Sequence, residues 1–368
     1  MHDCLYRVVA GTDTSSDRQQ LANAILQDSE RATAFKITPE NVAEKVDARS
    51  QLMRSFYPTF SEFCTCTLQL PDRQLIATLW HLWLPLAMQI AAYRQGQSRP
   101  LIQGILGGQG MGKTTLAAVL RAILAHLGYR TCSLSIDDLY KTYSDRLILQ
   151  QQDPRLIWRG PPGTHDLDLG LSVLEQLHQP DFTAPILLPR FDKSAYNGAG
   201  DRSTFEAVFN IDIVLFEGWF VGVRPIDPQA FDDAPPPIVT AFDRDFARDM
   251  NAKLHDYLPL WAHLDRLIVL YPTDYRYSIA WRWQAERQAI SSGKAGMTNS
   301  EIEEFVKYFW RSLHPDLFVK PLVEDDSWVD LTIEVRGDRS LGRVYGLRRF
   351  GQGDKGTRRE GESVVEEF

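Results

Sequence analysis

The chain has 368 residues, of which 44% are hydrophobic and 24% charged, with 24 Gly and 20 Pro. These proportions exclude collagen-like, low-complexity and wholly disordered chains, and leave one large α/β domain with additions, or two domains. The formal net charge is -8, so the surface as a whole offers no attraction to nucleic acid or to an anionic membrane, and an anionic ligand must be held by a local site.

Cys4, Cys64, Cys66 and Cys132 share no CxxC spacing, which argues against a disulfide framework or a structural zinc site and fits a reducing, cytoplasmic setting. Asp3, Asp13, Asp17 and Glu30 stand near the N-terminus without an apolar run between them, so neither a secretory signal nor a transit peptide is expected. Residues 1–100 read as a helical extension packed on the core. Thr38, Pro39 and Glu40 form an N-cap with Pro at the first helical position, opening a helix through Val46 and Leu52. From Gln74 to Tyr93 no residue carries a formal charge, a length sufficient on paper to span a bilayer. Gln74, Thr78, His81, Pro85 and Gln89 interrupt it, and a packed helix ending near Gly96 is expected instead.

At Leu101 the pattern changes. LIQGILGG reads as a buried strand, and KTTLAAVLRAILAHLG as a helix whose Leu116, Val119, Leu120, Ile123, Leu124 and Leu127 keep helical spacing. Further short apolar runs at 131–136, 211–216, 265–271 and 329–335 alternate with helical patterns. Such alternation predicts an α/β three-layer sandwich with a mainly parallel sheet over residues 101–335, and ligands beyond the carboxyl ends of its strands. Residues 336–368 are Gly-rich and charged and read as a flexible tail.

GGQGMGKT, Gly107 to Thr114, is a complete G-x-x-x-x-G-K-[ST] phosphate-binding loop between that strand and helix. Gly107, Gly108, Gln109, Gly110, Met111, Gly112, Lys113, Thr114 and Thr115 are its candidate nucleotide contacts: loop amides for phosphate oxygens, Lys113 for the β and γ phosphates, the Thr114 hydroxyl for Mg²⁺. ATP, or a similar nucleotide, with Mg²⁺ is implied. The second strand ends in SIDDLY. Asp137 or Asp138 there could take the proton of an acceptor hydroxyl or help hold the metal, or could cap the next helix. Strand alternation lets one of the two neighbours face the phosphates. Glu217, where the third run leaves the sheet, suits Mg²⁺ through water or orientation of the substrate. RGPPGTHDLDL carries Arg159, His165 and Asp166, the last a possible helix cap. The segment 188–202 clusters Arg190, Asp192, Lys193, Asp201 and Arg202, either around an acceptor or as a solvated loop. Residues 275–300 read as a helical lid in which Arg276, Arg282 or Arg287 could bring a guanidinium onto the transferred phosphate.

GGQGMGKTTL, SIDDLY, RGPPGTHDLDL, PRFDKSAYNGAGDR, FEGWFVG, WRWQAE and KAGM, in this order, resemble the D-glycerate 3-kinases of plants and cyanobacteria, within the phosphoribulokinase, uridine kinase and pantothenate kinase branch of P-loop kinases. The likeness spans roughly Leu101 to Met297 and reaches back to LWLPLA near Leu82. It implies an ATP- and Mg²⁺-dependent kinase of a small hydroxy acid, transferring phosphate to the 3-hydroxyl of D-glycerate, with a place in photorespiration. It places Asp137 at the position of the base, with Thr114, Asp137 and Glu217 about the metal and Arg282 on the transferring group. Asp138, Tyr140, Arg159, His165, Asp166, Arg190, Lys193 and Arg202 fall toward the acceptor. A kinase of a uridine- or pantothenate-like acceptor, and a nucleotide-binding protein without kinase activity, are the alternatives.

Overall fold

A computed structural model describes residues 2–68, 71–179, 184–291, 296–325 and 327–346. The first layer is helical: α1 (His2–Ala10), α2 (Ser15–Gln27), α3 (Ser29–Ala34), α4 (Val42–Phe63), α5 (Asp72–Thr78) and α6 (Leu84–Gln95). Helix α4 opens later than the sequence suggested. The Thr38 carbonyl accepts from the amides of both Asn41 and Val42, and the Asn41 side chain accepts from the Thr38 amide, so Thr38 to Asn41 close a turn and the helix begins at Val42. The uncharged stretch is a continuous helical run, Asp72–Gln95, with 61% of its most apolar window buried inside the protein. Between α5 and α6 it loosens into a π-turn, Leu79–Trp83. Pro85 lies just beyond and has no N–H for the His81 carbonyl, which relaxes the ladder there. The Trp80 carbonyl receives a hydrogen bond from Arg49 at 3.2 Å.

The core sheet begins with β1 (Leu101–Gly107), followed by α7 (Lys113–His126), β2 (Thr131–Ser135), α8 (Tyr143–Gln152) and α9 (Leu167–Leu177). Two small antiparallel pairs follow, formed by β3 (Ile186–Leu188) with β6 (Glu206–Val208) and by β4 (Phe191–Asp192) with β5 (Asp201–Arg202). The chain continues through β7 (Ile213–Gly218), α10 (Ala241–Lys253), α11 (Leu258–Ala262), β8 (Arg266–Pro272), α12 (Tyr277–Ser291), α13 (Asn299–Ser312), α14 (Pro315–Glu324), β9 (Leu331–Val335) and β10 (Leu341–Tyr345). The main sheet has the order β10-β9-β8-β1-β7-β2. All its pairings are parallel except that of β10 with β9.

Strand alternation divides the core into two apolar layers. Ile105, Ile213, Leu215, Ile268 and Ile333 face α7 and the N-terminal helices. Ile102, Leu106, Val214, Phe216 and Val269 face α9, α11 and α14. Helix α7 is enclosed from behind: Leu116, Val119, Leu120 and Ile123 are buried in the layer shared with α4 and α6, Ser55 Oγ lies 2.8 Å from His126 Nε2, and the Phe56 ring meets the His126 ring at 5.5 Å.

The structure corrects the reading of the C-terminal segment. Residues 341–345 form the antiparallel edge strand β10, with Val344 fully buried in the core. The segment holds too few apolar positions to show a period, and pairing with β9 supplies the order that propensity does not. Residues 347–368 of the expected tail and 292–295 of the expected lid lie outside the described residues.

Candidate active site

The phosphate loop leaves β1 at the middle of the sheet, where neighbours on both sides open a crevice beyond the strand ends. Two of its glycines are required by conformation. Gly110 (φ +75°) and Gly112 (φ +85°) are left-handed, and a Cβ on Gly110 would lie 2.7 Å from the Trp281 Cβ. Gly112 also starts α7 without any side-chain cap, so the first amides of that helix have no side-chain acceptor and are available to an anion. Lys113 folds back over the loop and donates to the Gly108 carbonyl at 3.0 Å. Burial holds its ammonium below the ordinary lysine range, while Glu217 and Asp137 pull it back up. Thr114 and Thr115 are exposed at the helix start, and the Gly108 amide donates to the Met111 sulfur at 3.0 Å.

Glu217 is placed by the pleat. It follows Ile213 and Leu215 on the face of the sheet that carries α7, and it lies opposite Ser135 of β2 and Ile105 of β1 in register. Burial raises its carboxyl above the usual value, Lys113 opposes that rise, and Asp137 adds to it.

The end of β2 differs from the expected extended strand. Ile136 to Leu139 form a 3₁₀ turn, so strand alternation is not what separates the two aspartates. Asp138 closes a capping box by accepting from the Ser135 amide at 3.0 Å, and it receives Arg190 at 2.9 Å. Arg190 is also held by Glu206 and by the Ser133 carbonyl. These two residues thus brace the strand end, and the capping alternative is realised by Asp138. Asp137 turns the other way. Its Oδ1 accepts from the Tyr140 hydroxyl at 2.8 Å and its Oδ2 from Lys193 at 2.6 Å. Burial would raise the Asp137 carboxyl, but Lys193 and the Tyr140 hydrogen bond outweigh it and hold it below the ordinary value.

Behind Asp137 the polar segments converge. His165, 1% exposed, stacks on Tyr140 at 4.7 Å, and its Nδ1 meets the Tyr257 hydroxyl at 2.7 Å. Burial pushes its imidazole down to about 3, with Asp137 opposing. The Tyr257 hydroxyl also accepts the Gly163 amide at 2.8 Å and so ties His165 to that turn. Asp166 caps α9 through the Leu169 amide and receives Arg202 on its other oxygen at 2.8 Å; Arg202 also reaches the Tyr140 carbonyl. Arg159 donates to the carbonyls of Gly198 and Ala199 and lies 5.9 Å above the Tyr140 ring.

Arg282 is directed elsewhere. It pairs with Glu286 one turn along α12 at 2.9 Å and lies over the Phe305 ring of α13. Arg276 pairs with Asp274 at 2.7 Å. Several residues that sequence reasoning passed over join the site. Trp281 covers Gly110, Tyr257 anchors His165, and Arg146 donates to the carbonyls of Ala199 and Gly200. Trp281 opens the WRWQAE run noted in the sequence, while only their position in the fold marks Tyr257 and Arg146.

A phosphate loop on the central strand of a mainly parallel sheet, with carboxylates at the ends of the two strands beyond it, defines a P-loop kinase, a phosphotransferase acting on an alcohol group. No family model matches the chain. Among curated proteins it is 30% identical over 329 residues to the chloroplastic D-glycerate 3-kinase of Arabidopsis thaliana, covering 83% of this chain and 68% of that protein. It is 31% identical over 272 residues to the probable ATP-dependent kinase TDA10 of Saccharomyces cerevisiae, covering 70% of this chain and 90% of that one. A solved D-glycerate 3-kinase structure from Cryptococcus neoformans superposes with a TM-score of 0.62 at 28% identity, over 71% of this chain and 99% of that chain. The chain belongs to the D-glycerate 3-kinase family.

Proposed function

We propose that the protein transfers the γ-phosphate of ATP to the 3-hydroxyl of D-glycerate, with Mg²⁺. The observation that carries this reading is the clamped carboxylate of Asp137. It is ionised and held on both oxygens, and it sits close enough to Lys113 and Glu217 to influence the charge of each. Such a group orients an acceptor hydroxyl and receives its proton late in a loose transfer. Lys193, whose side chain is 63% exposed, is the cation best able to exchange Asp137 for a substrate carboxylate, with Arg159 and Arg202 behind it.

The donor set suits Mg²⁺, which takes one or two carboxylates and completes its shell with water and phosphate oxygens. Asp137 adds to the upward pull on the Glu217 carboxyl, a repulsion that a divalent cation would relieve. Thr114 and Glu217 would hold it, with Asp137 nearby. When bound, it neutralises charge on the transferring phosphate. Lys113 and the loop amides hold the phosphates in line, and Trp281 of α12 packs against the loop at Gly110.

The aromatic rings support a small acid over a nucleoside. Phe191 is met edge-on by Tyr140 and covered by Arg146, Tyr196 stacks on Tyr143, and one face of Tyr140 is taken by His165. The rings that could sandwich a base are thus already engaged with the protein. A coupled assay with ATP and a panel of D-glycerate, uridine, pantothenate and ribulose 5-phosphate, with the product position read by NMR, tests the proposal. Turnover of D-glycerate to 3-phosphoglycerate is expected. Turnover of another acceptor alone, or ATP binding without any transfer, rejects it.

A further inference from the structure

Arg339 stands in the turn between β9 and β10, in the segment that composition alone assigns to a mobile tail. Its backbone is left-handed, with φ +64°, a conformation that a residue with a side chain adopts only at a cost. Its guanidinium makes three hydrogen bonds, and each ends on an element that borders the phosphate loop. Nε donates to the Gly110 carbonyl at 3.0 Å, Nη1 to Gln284 Oε1 at 2.9 Å, and Nη2 to the Trp281 carbonyl at 3.4 Å. Gln284 and Trp281 belong to α12. Trp281 is buried, donates its indole N–H to the Gly337 carbonyl at 2.8 Å, and lies against Gly110 closely enough to exclude a Cβ there. The loop, the lid helix and the β9–β10 turn therefore meet at one guanidinium.

All three acceptors are neutral oxygens, and among the described residues no carboxylate forms an ion pair with Arg339. Among the described residues, no carboxylate contact offsets its charge. The peptide it grips matters in the same way. In a trans peptide the C=O of one residue and the N–H of the next point in opposite directions. With the Gly110 carbonyl drawn outward to the guanidinium, the Met111 N–H on the other side of that peptide is turned away from Arg339. Hydrogen bonds in series polarise one another, so the same contact makes the Met111 N–H a stronger donor. Gly110 itself supplies no such restraint, because a glycine at positive φ can turn its peptide freely.

We infer that Arg339 is a positioning residue of the nucleotide site. It fixes the Gly110–Met111 peptide for phosphate binding, brings a positive charge to the rim of the loop, and ties α12 to that loop. The inference rests on the phosphate loop and not on the identity of the acceptor.

ADP affinity, measured by titration calorimetry without an acceptor, tests it, so failure of the glycerate reading leaves the measurement intact. Arg339→Ala should weaken ADP by about tenfold, the loss of one charge-assisted contact, and should raise KM for ATP by a similar factor with KM for the acceptor unchanged. Arg339→Lys keeps the charge and can reach one acceptor, and should hold ADP to within about threefold of the parent protein. Arg339→Gln keeps a donor without charge and should fall between Lys and Ala; it carries the test if the Ala variant does not fold. A lowered melting temperature with unchanged ADP affinity in the folded Ala or Gln variant means a purely structural contact and overturns the inference. So does a change confined to KM for the acceptor.

Discussion

The Tyr140 hydroxyl donates to Oδ1 of Asp137 across 2.8 Å, three residues along the same turn. The phenol thereby fixes the carboxylate from within its own segment, and Lys193 fixes it from another. Asp137→Asn keeps the shape and removes the charge, and should lower kcat by about a hundredfold or more, with ADP affinity changed little. Tyr140→Phe leaves the charge but frees its rotation, and should cost about tenfold in kcat. Steady-state kinetics on both variants, with ADP titrations beside them, check the order. A Tyr140→Phe loss equal to that of Asp137→Asn would mean that the hydroxyl itself touches substrate.

Asp138 should behave in the opposite way. Because it caps the turn and pairs with Arg190, Asp138→Ala should destabilise the fold by about 1–2 kcal/mol, as a lost cap does, while lowering kcat far less than Asp137→Asn. Denaturant melts and kinetics on one preparation distinguish the two. Asp138→Ala with full stability and abolished activity would reverse the assignment of the aspartates.

Lys113→Ala removes a charge-assisted contact made most strongly at the transition state, worth about 2–4 kcal/mol, and should cut kcat by about a hundredfold or more. The folded protein should survive, since Lys113 reaches only the Gly108 carbonyl among the hydrogen bonds described. Unchanged kcat in the folded variant would remove the lysine from the phosphate site.

His165 gives the pH prediction. Its imidazole is pushed down to about 3 by burial, against 6.5 for an exposed one. Between these values the unfolded chain binds a proton that the folded chain refuses, so this group's contribution is intact above pH 6.5 and is lost as pH falls toward 3. His165→Phe should therefore flatten the acid limb of stability relative to the parent, by up to about 1.4 kcal/mol per pH unit in that window. Melts from pH 3 to 8 read this slope. The imidazole is neutral throughout the neutral range, so the kcat/KM profile should show no histidine ionisation from this residue.

Glu217 combines a functional benefit with a cost to stability. A carboxyl raised by burial favours the fold while protonated, and that support is lost as pH rises through the folded value. Glu217→Gln should consequently raise the melting temperature at pH 7, with the gain shrinking as pH falls through the folded value and gone below about pH 4.5, while activity falls. A variant less stable at pH 7 than the parent would show that the carboxylate makes favourable contacts outweighing its burial.

Elements with strong internal periodicity were legible from sequence: β1, α7, β2 and β9 lie within the runs that mark them, and β7 and β8 overlap theirs but extend one or two residues beyond. So was the phosphate loop, whose glycines answer to conformations that only the turn requires. What sequence could not show were features decided across the fold. The turn after β2 carries the local Ser-x-x-Asp capping spacing of Ser135 and Asp138, but the pairing of Asp138 with Arg190, 52 residues on, is one that no local spacing announces. The direction of Arg282 depends on Glu286 and on the Phe305 ring of a different helix. Strand β10 exists because β9 offers an edge, and so Arg339, in a run composed like a linker, arrives at the phosphate loop.

The burial of α7 against α4 changes how the first hundred residues should be regarded. A phosphate loop is only as stiff as the helix on which it is mounted, and here that helix is gripped along its rear by Phe56, Ser55 and the apolar residues around them. A chain cut at Leu101 would keep every residue that touches nucleotide and yet lose the mould that holds them in register. Lesions scattered through α4 and α6 would then register first as poor ATP retention, far from any residue that contacts ATP, and a survey of such variants would chart the rigidity of the loop.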